Sequence, residues 1–486
     1  MEITPAIAVT AKKTNWRWVI CSLLFFATTI NYLDRQVLSL TWKDFIAPEF
    51  HWSDSDYGAI TGFFSLFYAA ISLFAGKFID WMGSKRGYLW AIFIWSLAAC
   101  LHAICGWATM KFVGLPSTEA LYSIKSGTAA ALAVASVSVW LFLGCRALLA
   151  LGESGNFPAA IKVTALYFPK KDRAFATSIF NAGASVGALA APLCIPVLAK
   201  IWGWEMAFII IGALGFVWMG FWNVAFTAPQ DSRFVNKAEL DYIRQDEEGE
   251  SAREIRENNT DTISFWRCFT FRQTWAFVAG KAMTDGVWWF FLFWAPAYFS
   301  DQFGFASYTP MGQALIFVLY FIVTVISIFG GYLPRLFVEK RGMNPYAGRM
   351  RAMLIFAFIP ITALFAQPLG MVSPWWPAVI IGLAGAAHQA WSANLYSTIG
   401  DMFPTSTVGT IVGIGTMAGG VSSYIINQGS GILFDYAARM GDAFSFFSFT
   451  GKPAGYMIVF SICAVSYLLA WCVIKLLVPR YKKIEV

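Results

Sequence analysis

Charge is what this sequence has least of. Of its 486 residues, 13% are Asp, Glu, Lys or Arg, against about 25% in a soluble chain. A water-exposed surface cannot be covered at that density, so a soluble globular protein is excluded. Histidine is almost missing, with three in all, and the eight cysteines form no CxxC and no Cys/His metal spacing. Six of them (Cys21, Cys100, Cys145, Cys194, Cys463, Cys472) lie inside apolar runs and read as small core residues. No metal and no other cofactor is therefore expected. HExxH, GxSxG and a P-loop are all lacking, which argues against a membrane enzyme and against a nucleotide-driven pump. The net charge of +7 comes without a basic stripe or a nucleic-acid motif, so no nucleic-acid partner is expected. The first fifteen residues have no apolar core with a small-residue cleavage site, and no cleaved signal peptide is expected.

What is present is apolar. The chain is 58% hydrophobic with a mean hydropathy of +0.59, and 17% of its residues are aromatic, a share that suits interfacial belts. The fold class expected is an all-α polytopic membrane protein. Twelve apolar runs, at about 17–40, 56–80, 87–109, 131–166, 174–200, 205–228, 272–300, 310–337, 349–369, 375–400, 407–434 and 453–478, match the ~20 residues that a bilayer span needs. The fourth is long and interrupted by Gly152, Gly155 and Pro158, which predicts a kink. The single long polar stretch separates an N-terminal six-helix bundle (1–228) from a C-terminal one (272–486). That linker, 229–271, reads as a solvated cytoplasmic connector with room for a surface helix. Lys12, Lys13, Arg17, Lys85, Arg86, Lys170, Lys171, Arg173, Lys340, Arg341, Arg349, Arg351, Lys482 and Lys483 all flank one side of a twelve-span chain. Basic flanks mark the cytoplasm, so both termini are expected inside and the lipid bilayer of a cell membrane, bacterial and inner, is the expected location.

A repeat supports the two-bundle reading. Gly76-Lys-Phe-Ile-Asp80-Trp-Met-Gly83-Ser-Lys85-Arg86 returns as Gly331-Tyr-Leu-Pro-Arg335-Leu-Phe-Val338-Glu-Lys340-Arg341 at an offset of 255. Phe168-Pro169 returns as Phe403-Pro404, each ahead of a Gly/Ala-rich span, at an offset of 235. An extra connector near Met110 to Ser126 accounts for most of that difference. Parallel duplication with a long linker describes a transporter built from two bundles.

The buried polar residues carry the chemistry. Asp34 and Arg35 stand side by side in span one, where a charge costs at least ~2.5–3.5 kcal/mol. Adjacent helix positions point about 100° apart, so one side chain meets a cavity and the other a helix seam. Arg146 and Glu153 lie two turns apart on one face of span four; they read either as a structural salt bridge or as a protonation site. Tyr32 and Tyr68 offer hydroxyls on spans one and two, or interfacial packing. In span seven Lys281 and Asp285 are spaced i,i+4, which allows an intrahelical pair as well as a contribution to substrate. Span ten holds His388, Gln389, Trp391 and Asn394 and is too polar to face lipid; its Trp suits either a sugar ring or ordinary packing.

The run Gly76, Asp80, Gly83, Lys85, Arg86 resembles the loop signature of the major facilitator superfamily. Asn31-Tyr-Leu-Asp-Arg35, Cys145-Arg-Ala-Leu-Leu-Ala-Leu-Gly-Glu-Ser-Gly-Asn-Phe-Pro-Ala159 and Ala387-His-Gln-Ala-Trp-Ser-Ala-Asn-Leu-Tyr396 look like the anion:cation symporter family within it. They are most similar to hexuronate (glucuronate/galacturonate) transporters, with galactonate-type carriers as close relatives. The resemblance implies the major facilitator fold, twelve transmembrane helices, and symport of a small-molecule sugar acid with protons by alternating access, as a monomer. It implies coupling protons on Asp34 and Glu153, a substrate carboxylate on Arg35, and a gate at the Gly76–Arg86 loop. Span-five Gln and span-eleven Asn residues of the galactonate-type carriers fall here near Ala184 and Thr416, which implies a different sugar acid or pose. An aldonate or other organic anion is the alternative cargo, and a transporter-like sensor the alternative class. Phosphate carriers would favour paired arginines, and the second half offers Lys281 but no mid-span Arg.

Overall fold

The computed structural model describes residues 13–245 and 263–484. Twelve long helical segments follow one another: α1 (Trp16–Thr41), α2 (Asp54–Met82), α3 (Ser84–His102, continued at a 53° bend by Cys105–Val113), α4 (Ala129–Tyr167), α5 (Lys170–Trp202) and α6 (Trp204–Ala225), then α7 (Arg272–Phe303), α8 (Pro310–Arg341), α9 (Pro345–Gly370), α10 (Trp375–Met402), α11 (Thr405–Met440) and α12 (Gly451–Leu477). Among the described residues eight of these are long and apolar enough to cross a membrane, nine with the bent α3. The other three, α1, α7 and α10, are as long but carry the charged and amide residues singled out above.

Local chemistry sets the ends. Ser53 caps α2 in a reciprocal box with Asp56, and Thr309 with Pro310 at the first turn starts α8. Gly83, at φ 77°, makes the tight turn from α2 to α3 that a side chain would strain. The α4 helix breaks at Ser154–Gly155 between Ala129–Glu153 and Asn156–Tyr167, as its glycines predict.

Helix α1 packs on α5 and α4 lies against α2 and α3; in the second half α7 packs on α11 and α8 on α10. The halves meet mainly along α2 and α11. Glycines let those backbones touch: a Cβ on Gly58 would sit 2.7 Å from the Asn427 carbonyl, and one on Gly431 2.3 Å from that of Asp54.

The linker departs from a purely solvated connector. Its first part includes a helix, Lys237–Ile243, capped by Asn236. Glu239 on that helix is fully buried and receives the backbone N–H groups of Trp16 and Arg17 at 3.0 and 3.2 Å, and the Arg17 guanidinium at 3.0 Å. One carboxylate thus caps α1 and neutralises its cation, a gain that a composition argument misses. The centre of the linker, 246–262, lies outside the described residues.

Candidate functional site: a polar cavity between the halves

A cavity of about 550 Å³ opens between the two bundles. Tyr32 of α1 and Asn181 and Ser185 of α5 line the first-half wall. Across from them stand Trp288 of α7, Thr324 and Ser327 of α8, and Gln389, Ser392 and Tyr396 of α10. Amides, hydroxyls and aromatic rings on both walls suit a polyhydroxylated ligand, which offers hydroxyls at its edge and C–H groups at its faces.

Behind the first-half wall sits a buried charge pair that joins two helices. Arg35 Nε and Nη2 donate to Glu153 Oε2 at 2.9 and 2.6 Å, both side chains buried. Four rings surround the guanidinium, at 5.2 Å for Tyr32, 5.9 Å for Phe64, 4.7 Å for Tyr68 and 5.3 Å for Trp289. Trp289 belongs to α7, so Arg35 faces the other half. Its pair links α1 to α4, whereas same-helix spacing had placed Arg146 beside Glu153. Arg146 instead lies over the Phe64 ring at 5.3 Å, and its Nε and Nη1 make no hydrogen bond among the described residues. Both Asp34 oxygens and Glu153 Oε1 are likewise buried without a donor. Unmet buried acceptors of that kind are costly to leave without a donor.

The second half is arranged otherwise. Lys281 Nζ and Asp285 Oδ2 pair at 2.6 Å within α7, the intrahelical alternative, with the ammonium 4.8 Å from the Tyr396 ring. His388 is held by the Tyr467 hydroxyl at 2.8 Å and stacks on Trp288 at 5.5 Å, one layer behind the cavity. Trp391 is fully buried and edge-on to Tyr467. Asn394 donates to Ala390 O and lines a separate pocket with Arg349 and Ser397. The structure thus puts Tyr32 and Gln389 on the cavity wall and leaves Trp391 and Asn394 off it. Ala184 lines it too, between Asn181 and Ser185. Those two polar residues, and the Thr324/Ser327 pair facing them, went unread in the sequence, although i,i+4 and i,i+3 spacing put each pair on one helix face.

Away from the termini the halves are tied together. Lys43 bridges Asp54 (3.2 Å) and Asp301 (2.9 Å), and Lys452 bridges the same two carboxylates at 2.6 and 2.5 Å. Asp435 at the end of α11 accepts the N–H groups of Asp54 and Ser55. At the other side, Asp80 of the Gly76–Arg86 loop meets Lys162 at 2.8 Å, and Lys85 donates to Asn223 O, both contacts inside the first half. The molecule is joined at one end, and the cavity lies near the middle of the helices that line it.

The family model for the Major Facilitator Superfamily matches residues 24–426. The chain belongs to that superfamily. This superfamily member is 26% identical over 428 residues to the hexuronate transporter of Escherichia coli K12, covering 87% of the chain and 89% of the relative. It is 25% identical to the galacturonate transporter of Dickeya chrysanthemi (74% and 94% covered) and 24% to the D-galactonate transporter of Escherichia coli O6:H1 (86% and 89%). Among solved structures, a bacterial homologue of the human lysosomal transporter Spinster, in an inward-facing conformation, shares the fold at TM-score 0.65 and 18% identity over 95% of this chain and 97% of that one. The D-xylose–proton symporter does so at 0.62 and 15%, over 93% and 97%. The major facilitator chain described here shares the fold of those structures.

Proposed function

We propose that this chain imports a hexuronate, glucuronate or galacturonate, together with protons by alternating access. The observation that carries the reading is the Arg35–Glu153 pair, set among aromatic rings at the junction of the halves. A guanidinium fork is the side chain best matched to a carboxylate, and here one of the protein's own carboxylates holds it. Protonating Glu153 removes the competing charge and frees Arg35 for the carboxylate of the cargo. A proton and an anion then enter as a neutral pair, which is coupling in its simplest form. Asp34, buried and without a donor, is the second proton acceptor. Sugar hydroxyls meet the amide and hydroxyl walls of the cavity, and the relatives' names favour uronates within that chemistry.

In this reading the Lys43–Asp54–Asp301–Lys452 ring closes the outer end, and the basic flanks support a cytoplasmic opening for the cavity. The test is uptake of labelled glucuronate, galacturonate and galactonate by proteoliposomes, with and without an inward proton gradient. Gradient-stimulated accumulation of a uronate is the expected result. Galactonate alone would transfer the reading to aldonates; equal, gradient-independent equilibration would remove the proton; no uptake would favour a sensor.

A further inference from the structure

A larger cavity, of about 960 Å³, lies at the terminus side of the second half, between the start of α7 and the strand of chain that follows α12. Arg272, Arg480, Lys482 and Lys483 line it and no acidic residue does. None of the four forms an ion pair among the described residues. The tail that carries three of them is strapped in place: Ile484 N donates to Met402 O at 2.9 Å, Gln273 Nε2 to Lys482 O at 3.3 Å, and Tyr346 Oη to Val478 O at 2.6 Å. The cations are thus gathered by fold, not by a loose end of chain.

The internal repeat says what is missing there. The offset of 255 that relates the two loop signatures also carries Arg17 onto Arg272, and each stands at the first turn of its half's first helix. Around Arg17 the place is filled: the Glu239 carboxylate pairs with the guanidinium and caps the helix through two backbone N–H groups. Around Arg272 there is no side-chain cap, no acid in the first turn, and three further cations. Cations at a helix N-terminus oppose its dipole, so an anion joining this end would relieve the repulsion.

We propose that this cavity binds a phosphate oxyanion in the place that Glu239 occupies in the first half. Its volume admits a glycerophosphate head group. Two sources share that chemistry, the head group of an anionic phospholipid in the adjacent leaflet and a free phosphate in solution.

The test uses the purified full-length chain in detergent, with melting temperature and native mass spectrometry as readouts. Phosphatidylglycerol should raise the melting temperature above phosphatidylcholine by about 2–4 °C and remain as an adduct. The Arg272→Gln/Arg480→Gln/Lys482→Gln/Lys483→Gln variant should lose both effects. A control with Lys77, Lys340, Arg341 and Arg351 changed to Gln, the same loss of charge elsewhere, should keep them. If millimolar inorganic phosphate reproduces the shift in wild type and not in the first variant, the site stands with a soluble ligand. Equal stabilisation of wild type and the cavity variant by both anions, or of neither, overturns it. Should the quadruple variant fail to fold, Arg480→Gln/Lys482→Gln read by adduct mass gives the same decision.

Discussion

The two halves of this duplicated chain hold their buried charges in opposite ways. In the first half Arg35 and Glu153 come from different helices, so their pair ties α1 to α4. In the second, Lys281 and Asp285 are one helical turn apart and form their ion pair within α7, with the ammonium against the Tyr396 ring of α10. A cross-helix pair can be divided by a ligand and report its division as movement; an intrahelical pair largely cannot. The duplication thus supplies the frame twice and the exchangeable charge once.

Breaking the first-half pair should have the largest effect. Arg35→Gln leaves Glu153 buried beside one fewer cation, a loss of about 3–5 kcal/mol, and uptake should fall at least ~100-fold. Uptake near wild type would show that the cargo docks elsewhere. Glu153→Gln should separate the functions: counterflow exchange persists while gradient-driven accumulation is lost. Asp34→Asn should likewise weaken accumulation, and accumulation left intact in both variants would remove these carboxylates from coupling.

In the second half the double change Lys281→Met/Asp285→Leu removes both charges at once, and transport should fall by no more than about tenfold, since a pair replaced together leaves no orphan charge. A loss as deep as that of Arg35→Gln would erase the contrast between the halves.

The smallest effect concerns the loop after α1. Glu49, buried and receiving the Tyr122 hydroxyl and Trp204 Nε1–H, is pushed up to about 7 by burial, against the lowering effect of those bonds. Because its folded-state pKa lies above the ordinary carboxylate value, its contribution to stability is complete below pH ~4.5 and is lost as pH rises through 7. Wild type should therefore lose melting temperature between pH 5 and 8 relative to Glu49→Gln. Parallel curves would show that the carboxylate titrates normally.

Much of this was legible in the residues. Apolar runs marked the spans, and Gly152 and Gly155 marked the break in α4. Helices α1, α7 and α10, which carry charged or amide residues mid-span, were identified as spans from the length of their apolar runs. Partner choice was not legible. Seven-residue spacing put Glu153 and Arg146 on one face, but the rotation of α1 against α4 gave Glu153 to Arg35 instead. The cavity wall was missed for a related reason: lone hydroxyls in apolar helices usually turn back to their own backbone, as Ser327 Oγ does to Thr324 O. Only the facing helix reveals that their side is wet. Glu239 looked solvated because its neighbours in sequence are polar, while its neighbours in space are the N–H groups of α1.

The glycine seam between α2 and α11 has a kinetic meaning. A Cβ on Gly420 would sit 2.2 Å from that of Ala69, and one on Gly62 3.1 Å from Tyr424. Backbone-to-backbone contact at these glycines leaves fewer side-chain knobs to withdraw, the Tyr424 ring against Gly62 and Phe63 being one that remains. The ion pairs that cross between the halves gather at the rim, in the ring of Lys43, Asp54, Asp301 and Lys452. Reopening is then limited by the breaking of ion pairs, and its rate should rise with ionic strength on that side of the membrane.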